Sequence, residues 1–397
     1  MVRKLCWGVL GASGIADRRT IPEGILPARN ARLVAVQSRD PARARRLSTK
    51  YRGAAPYVRD ADLLADPAVE AVYIATPVDR HLSQVVAAAR AGKHVLVEKP
   101  MGLTVREAER MVAACRSAGV KLGVALMMRF HPAHVWIQDA VRAGRLGTPV
   151  LGRAQLTAWY PPQRGAWRQD PKRAGGGAVM DLAVHCIDLL SFILGPVASV
   201  SAEVGSLVHD YKSDDTAAIL LRFRSGAMGM VDCHFSVPDE GSENAIEVYG
   251  SKGAVKARHT IGQGDTGEVR ACGPFDPSAV AQGRTLSQVE GFDSLALASP
   301  FAAAAASGDR QGSAPRQARG STARKDPRLM ARGLERLTFR RVRLPRRNVY
   351  RAEIEAFSDA VLRDREPPVS GEEGLIAQRI LEAVYRSAAT GKRKRIR

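Results

Sequence analysis

Three groups of residues in this chain are of types that could do chemistry together. Asp181 and His185 stand four apart in Gly175-Gly176-Gly177-Ala178-Val179-Met180-Asp181-Leu182-Ala183-Val184-His185. That spacing puts a carboxylate and an imidazole on one face of a helix. A carboxylate can orient the ring and stabilise its cation, which general acid/base work near neutral pH requires. Taken alone, the pair also reads as a helix salt bridge in a satisfied core. No further cluster of Cys, His or carboxylates accompanies it, so no metal centre is expected. The second group is Glu98-Lys99-Pro100, which ends the apolar run that starts at His94. At the carboxyl end of a strand in a doubly wound sheet, Lys99 would project its amine into a ligand cleft. A solvated lysine at a strand end is the plainer alternative. The third group is the loop Gly11-Ala12-Ser13-Gly14-Ile15-Ala16.

That loop follows an apolar run, Leu5 to Leu10, and its small residues fit a dinucleotide fingerprint. Gly11, Ser13 and Ala16 occupy the three positions of G-x-G-x-x-G/A, and Gly14 adds freedom; only the first position is a true glycine. Pyrophosphate would lie on the N-terminus of a helix opening near Ile15, where unpaired N–H groups favour anions. Cofactor choice is read at the end of the second strand, here Gln37-Ser38-Arg39 with Arg43 one helical turn on. A hydroxyl and a guanidinium suit a 2′-phosphate, so NADP is expected over NAD, with Asp40 as the competing ribose ligand.

These groups need elements to hold them. Apolar runs at Leu5–Leu10, Leu33–Gln37, Val69–Ala75, His94–Val97 and Val120–Leu126 alternate with helical patterns at Ala42–Lys50, Leu82–Ala91 and Val105–Ser117. That alternation predicts βαβ units and a parallel sheet over residues 1–126. Beyond 126 a helix at Ala133–Ala143 and a strand near Val150–Tyr160 precede a helix from Ala178 to Leu194. A series of short strands follows from Val197 to Ala257, then helices at Tyr350–Leu362 and Gly374–Ala388. The expected fold class is therefore α/β: a Rossmann domain, then an α+β domain over 127–397 with a largely antiparallel open sheet. Residues 278–335, rich in Ser, Gly, Gln and Arg and poor in aromatics, read as a flexible basic insertion, with one last strand in Leu337–Leu344.

Composition excludes little and places much. The chain has 397 residues, 45% hydrophobic and 25% charged, in the range of a soluble two-domain protein. No apolar run approaches the roughly 18 residues of a membrane span. Five cysteines form no CxxC pair, which suits a reducing cytoplasm. The net charge of +20 is concentrated. Residues 302–347 hold 13 Lys/Arg against 3 Asp/Glu, and 392–397 hold 5 Lys/Arg and no acid, so appendages carry most of it. Their lack of aromatics argues against base stacking, and nucleic-acid binding is not expected.

Together the Gly-rich loop, Thr76-Pro77 with His81, Glu98-Lys99-Pro100, Arg129-Phe130-His131-Pro132, Trp167-Arg168, the triple glycine and Asp181-xxx-His185 resemble the glucose–fructose oxidoreductase/inositol dehydrogenase (Gfo/Idh/MocA) family. The likeness covers roughly residues 4–260 and resumes from Asn348 to Gly391. It implies hydride transfer between a nicotinamide cofactor and a secondary alcohol or carbonyl of a sugar, cyclitol or related molecule. Lys99, Asp181 and His185 would be the catalytic group, with His185 the base, Lys99 holding the oxygen and Asp181 orienting His185 or a neighbouring hydroxyl. The resemblance also implies that Glu98 and Lys99 reach the cofactor, that Thr76, Pro77 and His81 line the nicotinamide side, and that Arg129, Trp167 and Arg168 form the substrate rim. The open sheet would form a homo-oligomer. Ser13 and Ala183 depart from the family pattern at positions where it favours glycine. A catalytically silent cofactor- or sugar-sensing protein of the same fold is the alternative.

Overall fold

The computed structural model describes residues 3–264, 266–273 and 338–396. The expected insertion at 278–335 lies outside the described residues. Strands β1 (Leu5–Leu10), β2 (Ala31–Gln37), β3 (Ala55–Tyr57), β4 (Ala71–Ile74), β5 (His94–Glu98) and β6 (Leu122–Ala125) form a parallel sheet in the order β3-β2-β1-β4-β5-β6. Helices α1 (Pro41–Lys50), α2 (Asp60–Ala65), α3 (His81–Arg90) and α4 (Val105–Ser117) make the connections. These strands read as continuous apolar runs because both faces are buried. Val72, Ile74, Val95 and Val97 pack into the core that includes residues of α3 and α4. Trp7, Val9, Tyr73 and Leu96 pack into a second core on the other face. Strand order reverses between β1 and β4, and in such sheets the ligand crevice opens at that switch point.

The helical segment after β1 differs from an ordinary α-helix: Ala16–Ile25 is π-helical, with Leu26 N–H bonding Ile21 O at 3.0 Å. Pro22 within it has no N–H to give, so the usual ladder cannot run through. The start signals elsewhere are local. Asp40 caps α1 ahead of Pro41, and Thr104 caps α4 by accepting from Glu107 N.

The second region contains α5 (Pro132–Arg142), β7 (Pro149–Thr157), α6 (Pro171–Ala174) and α7 (Val184–Leu194), then β8 (Val197–Gly205), β9 (Thr216–Phe223), β10 (Met228–His234), β11 (Ile246–Gly250), β12 (Gly253–Arg258), β13 (Glu268–Cys272) and β14 (Arg340–Val342). Helices α8 (Val349–Leu362) and α9 (Gly371–Thr390) and the short β15 (Lys394–Arg395) end the described chain. The nine strands lie in the order β14-β13-β12-β11-β7-β10-β9-β8-β15; β7 and β10 are parallel and the other pairs antiparallel. Part of the basic tail is thus an edge strand, and lysine and arginine there discourage further strand pairing.

The stretch Pro171–Leu194 is long and apolar enough to cross a membrane, contrary to the sequence expectation, but 94% of its most apolar window is buried inside the molecule. It is a core helix under β7 and β10. Helix α8 returns to the first sheet: Phe357 packs on Trp7 with ring centroids 5.3 Å apart, and Trp7 Nε1 donates to Ser358 Oγ at 3.1 Å.

Candidate active site

A cleft of about 1150 Å³ runs from the Gly11 loop, past the ends of β2, β4 and β5, to α7. Gly11, Ser13, Gly14, Ile15, Ser38, Arg39, Arg43, Thr76, Pro77, Glu98, Lys99, Trp167, Arg168, Asp181 and His185 all line it. The loop fits a dinucleotide's backbone approach. Gly11 has φ +74°, and a Cβ there would meet Thr76 Cγ2 at 2.6 Å, so only glycine lets β1 and β4 close together here. Gly14 begins the helical turn with open space where a Cβ would stand. Ala12 is a correction. It is fully buried and its N–H donates to Gln37 O at 2.9 Å, so it packs the loop instead of facing a ligand. Gln37, not singled out by sequence, also accepts from Gly11 N at 3.0 Å and donates to Val58 O at 2.8 Å. At the far end Arg39 and Arg43 are exposed, while Asp40 Oδ1 accepts from Ala42 N and Arg43 N. The competing carboxylate is engaged as a helix cap.

Lys99 reaches across the cleft as its place at the end of β5 suggests. Its Nζ donates to Asp181 Oδ1 and to Asp181 O, both at 2.8 Å. Arg168 Nε lies 3.3 Å from Asp181 Oδ2 and its guanidinium stacks on Trp167 at 4.3 Å. Burial pushes the Asp181 carboxyl up, but Lys99 and Arg168 together hold it well below the usual carboxylate range. Asp181 sits in a π-helical turn, Val179–Ala183, and His185 in α7 just after it. Asp181 is expected to orient His185 or a neighbouring hydroxyl, but its carboxylate turns to the two cations and not to the ring. His185 is buried with Nδ1 unpartnered. Burial and then the Lys99 charge depress its imidazole well below the usual value, against the pull of Asp181, so it stands neutral and able to accept a proton.

Two further expectations are corrected. Arg129 is not on the rim but in the core: its Nε donates to Asp188 at 2.9 Å and its Nη1 to Glu373 at 2.8 Å, joining α7 to α9. A buried guanidinium needs such partners, and two carboxylates on neighbouring helices supply them. His81 is fully buried, with Nε2 3.0 Å from Thr76 O and Nδ1 3.2 Å from Pro100 O. It joins the Thr76-Pro77 turn to the turn after Lys99, whose bond to Pro100 is cis, and so positions Lys99 without lining the cleft.

The triple glycine is explained by what approaches it. Asp214 accepts from Gly177 N and Val179 N at 2.8 Å, and Tyr385 on α9 donates to Asp214 at 2.7 Å. A Cβ on Gly177 would lie 1.8 Å from Asp214 O. The turn bearing Asp181 is thereby anchored from two distant segments. The cleft also includes Tyr160, Asn244, Tyr350 and Glu353, which sequence reading missed because they come from separate loops and a distant helix. No group of three or more His, Cys, Asp or Glu suited to a metal occurs among the described residues.

Residues 5–126 match the oxidoreductase family with an NAD-binding Rossmann fold, and 134–256 match the GFO/IDH/MocA C-terminal domain. The chain belongs to the Gfo/Idh/MocA oxidoreductases. It is 34% identical over 265 residues to 1,5-anhydro-D-fructose reductase of Ensifer adhaerens, covering 66% of this chain and 78% of that one. It is likewise 34% identical over 251 residues to trans-1,2-dihydrobenzene-1,2-diol dehydrogenase of Mus musculus, covering 63% and 73%. Among solved structures, aldose-aldose oxidoreductase from Caulobacter crescentus, complexed with glycerol, superposes with TM-score 0.77 at 25% identity over 99% of this chain and 100% of that one.

Proposed function

We propose that this protein transfers hydride between NADP and a secondary alcohol or carbonyl of a sugar, cyclitol or related polyhydroxylated molecule, with Lys99, Asp181 and His185 as its catalytic group. The enzyme class is that of dehydrogenases and reductases acting on CH–OH groups, as its relatives are. The observation that carries the reading is the Lys99–Asp181 ion pair beside a neutral, unpartnered His185 in a cleft that begins at the Gly11 loop.

The nicotinamide cofactor, when bound, supplies or accepts the hydride. In oxidation, Lys99 holds the substrate oxygen and stabilises the negative charge that grows on it. His185, neutral and with Nδ1 unpartnered, takes the hydroxyl proton. Asp181 keeps the Lys99 ammonium in place, and Arg168 holds the second carboxylate oxygen. Trp167 and Tyr160 also line the cleft and offer apolar surface to a substrate. In reduction the same groups act in reverse, with Lys99 polarising the carbonyl and His185 relaying a proton to the oxygen. NADP is favoured by Ser38, Arg39 and Arg43 at the cleft end, with Asp40 engaged as a cap.

The outer face of the nine-stranded sheet supports self-association. Leu220 is 56% exposed on β9, and Met228 and Met230 are 46% and 43% exposed on β10, with Leu220 and Met230 directly paired. Scattered apolar residues need no explanation, but neighbours on one open sheet face mark a surface suited to a second copy.

The test of catalysis is Lys99→Ala. It is expected to lower kcat by about a hundredfold or more on a sugar or cyclitol that the parent chain turns over. Cofactor affinity, followed by nicotinamide fluorescence, should change far less. Unchanged turnover would remove Lys99 from the mechanism.

A further inference from the structure

Helix α8 lies outside both segments matched by the family, yet it forms part of the cleft wall. Most of its buried face is accounted for by core packing: Phe357 lies against Trp7, and Ile354 against Gly24 of the π-helical segment. Tyr350 and Glu353, three residues apart on one face, are not. Both line the cleft, and Tyr350 Oη and Glu353 Oε1 are buried with no hydrogen-bond partner. Glu353 is only 3% exposed and forms no ion pair. A buried polar group without a partner is costly, and an apolar side chain would pack there at less expense. Such a group in a ligand cleft calls for a ligand partner.

We propose that Glu353 is a cofactor-binding residue whose carboxyl group, together with that of Glu98, holds the carboxamide of the nicotinamide ring. The inference rests on the cofactor reading above and extends it to α8. Its location follows from the chain: Glu98 immediately precedes Lys99, so the wall shared by Glu98 and Glu353 is at the reacting end, opposite in the cleft to Arg39 and Arg43. Tyr73 Oη donates to Glu98 Oε1, and Lys99 N donates to Glu98 Oε2. Thr20 donates to Tyr73 in turn, so the groups beside Glu98 are already directed at it.

The two carboxyls differ in charge. Burial, and then the charge of Glu98, push Glu353 well above the ordinary glutamate range, and no cation opposes them. Burial raises Glu98 too, but Lys99, Tyr73 and the Lys99 amide counter part of that rise, so of the two carboxyls Glu98 holds negative charge the more readily. Glu353 therefore offers one O–H donor and an acceptor, and Glu98 offers acceptors only. A primary carboxamide is complementary, with one carbonyl to accept from Glu353 and two N–H groups to donate. A phosphate is not, because the Glu98 carboxyl offers it only acceptors and would repel it when charged. Glu98 and Glu353 would thereby restrain the ring against rotation and help to choose the face offered to the substrate.

The test compares the dissociation constant of the oxidised dinucleotide with that of the matching ADP-ribose, which lacks the nicotinamide, in the full chain. Glu353→Leu is expected to weaken the dinucleotide about tenfold and leave the ADP-ribose within about twofold. Glu353→Gln, which keeps a donor and an acceptor, should bind the dinucleotide within about threefold of the parent. Glu353→Ala carries the same expectation as Glu353→Leu should leucine fail to fit. Equal weakening of both ligands, or no weakening of the dinucleotide, would overturn the assignment of Glu353 alone. Failure of the parent chain to bind either ligand would overturn the cofactor reading, and this inference with it.

Discussion

The charges around Lys99 decide what each side chain can do. Asp181 is flanked by two cations that favour its ionised form, so in the proposed mechanism the proton is assigned to His185. The departure at Ser13 leaves the loop intact because the close approach is made at Gly11, whose Cβ position is occupied by Thr76. The proposed preference for NADP also rests on single side chains. An exposed Arg39 that meets a 2′-phosphate makes a charge-assisted contact, whose loss costs roughly 1.5–3 kcal/mol. Arg39→Ala is therefore expected to weaken NADPH by about tenfold or more while NADH changes by less than about twofold. Parallel fluorescence titrations measure this, and an equal effect on both would assign the preference elsewhere.

Helices and turns set those side chains in place through contacts that are mostly polar. His81 joins two turns, Asp214 and Tyr385 anchor the glycine turn, and Arg129 ties α7 to α9. In the last case the ends of the contact are almost fully buried, with Arg129 3% exposed, Asp188 3% and Glu373 3%. Glu373 also completes the capping box of α9 with Ser370. Removing the guanidinium would leave two carboxylates buried near one another without a cation. Arg129→Ala should lose about 3–5 kcal/mol of unfolding free energy in urea. A loss below about 1 kcal/mol would show that water reaches the gap and that the triad contributes little.

The assembled chain brings the first sheet, the second sheet and the C-terminal helices around one cleft. Helix α8 covers the Rossmann face that carries Trp7 and Tyr73, while α7 fills the space under β7. The second sheet is thus covered on one side and carries exposed Leu220, Met228 and Met230 on the other. If that face joins two copies, Leu220→Arg combined with Met230→Arg should shift the sedimenting species toward the mass of a single chain. The same mass for parent and variant would locate self-association elsewhere or nowhere.

Local signals in the chain were enough for the alternation of strands and helices, the glycine-rich turn after β1, and the placing of Lys99, Asp181 and His185 at one cleft. Periodicity, caps and small residues act over a few neighbours, and each survives in the folded protein. The resemblance to the family also came from such short motifs, and the matches at 5–126 and 134–256 bear it out. What needed three dimensions was every choice among partners. Asp181 has His185 four residues away yet binds Lys99, 82 residues distant, because β5 delivers an ammonium to the carboxylate while π-helical geometry turns it from the ring. The resemblance alone places Arg129 on the rim; its partners Asp188 and Glu373 arrive only on folding. Glu353 is not singled out within the helical pattern Tyr350–Leu362, and only the docking of α8 places it in the cleft. Burial and long-range charge pairing are properties of the packed chain, and they determine which of the legible residues can meet a ligand.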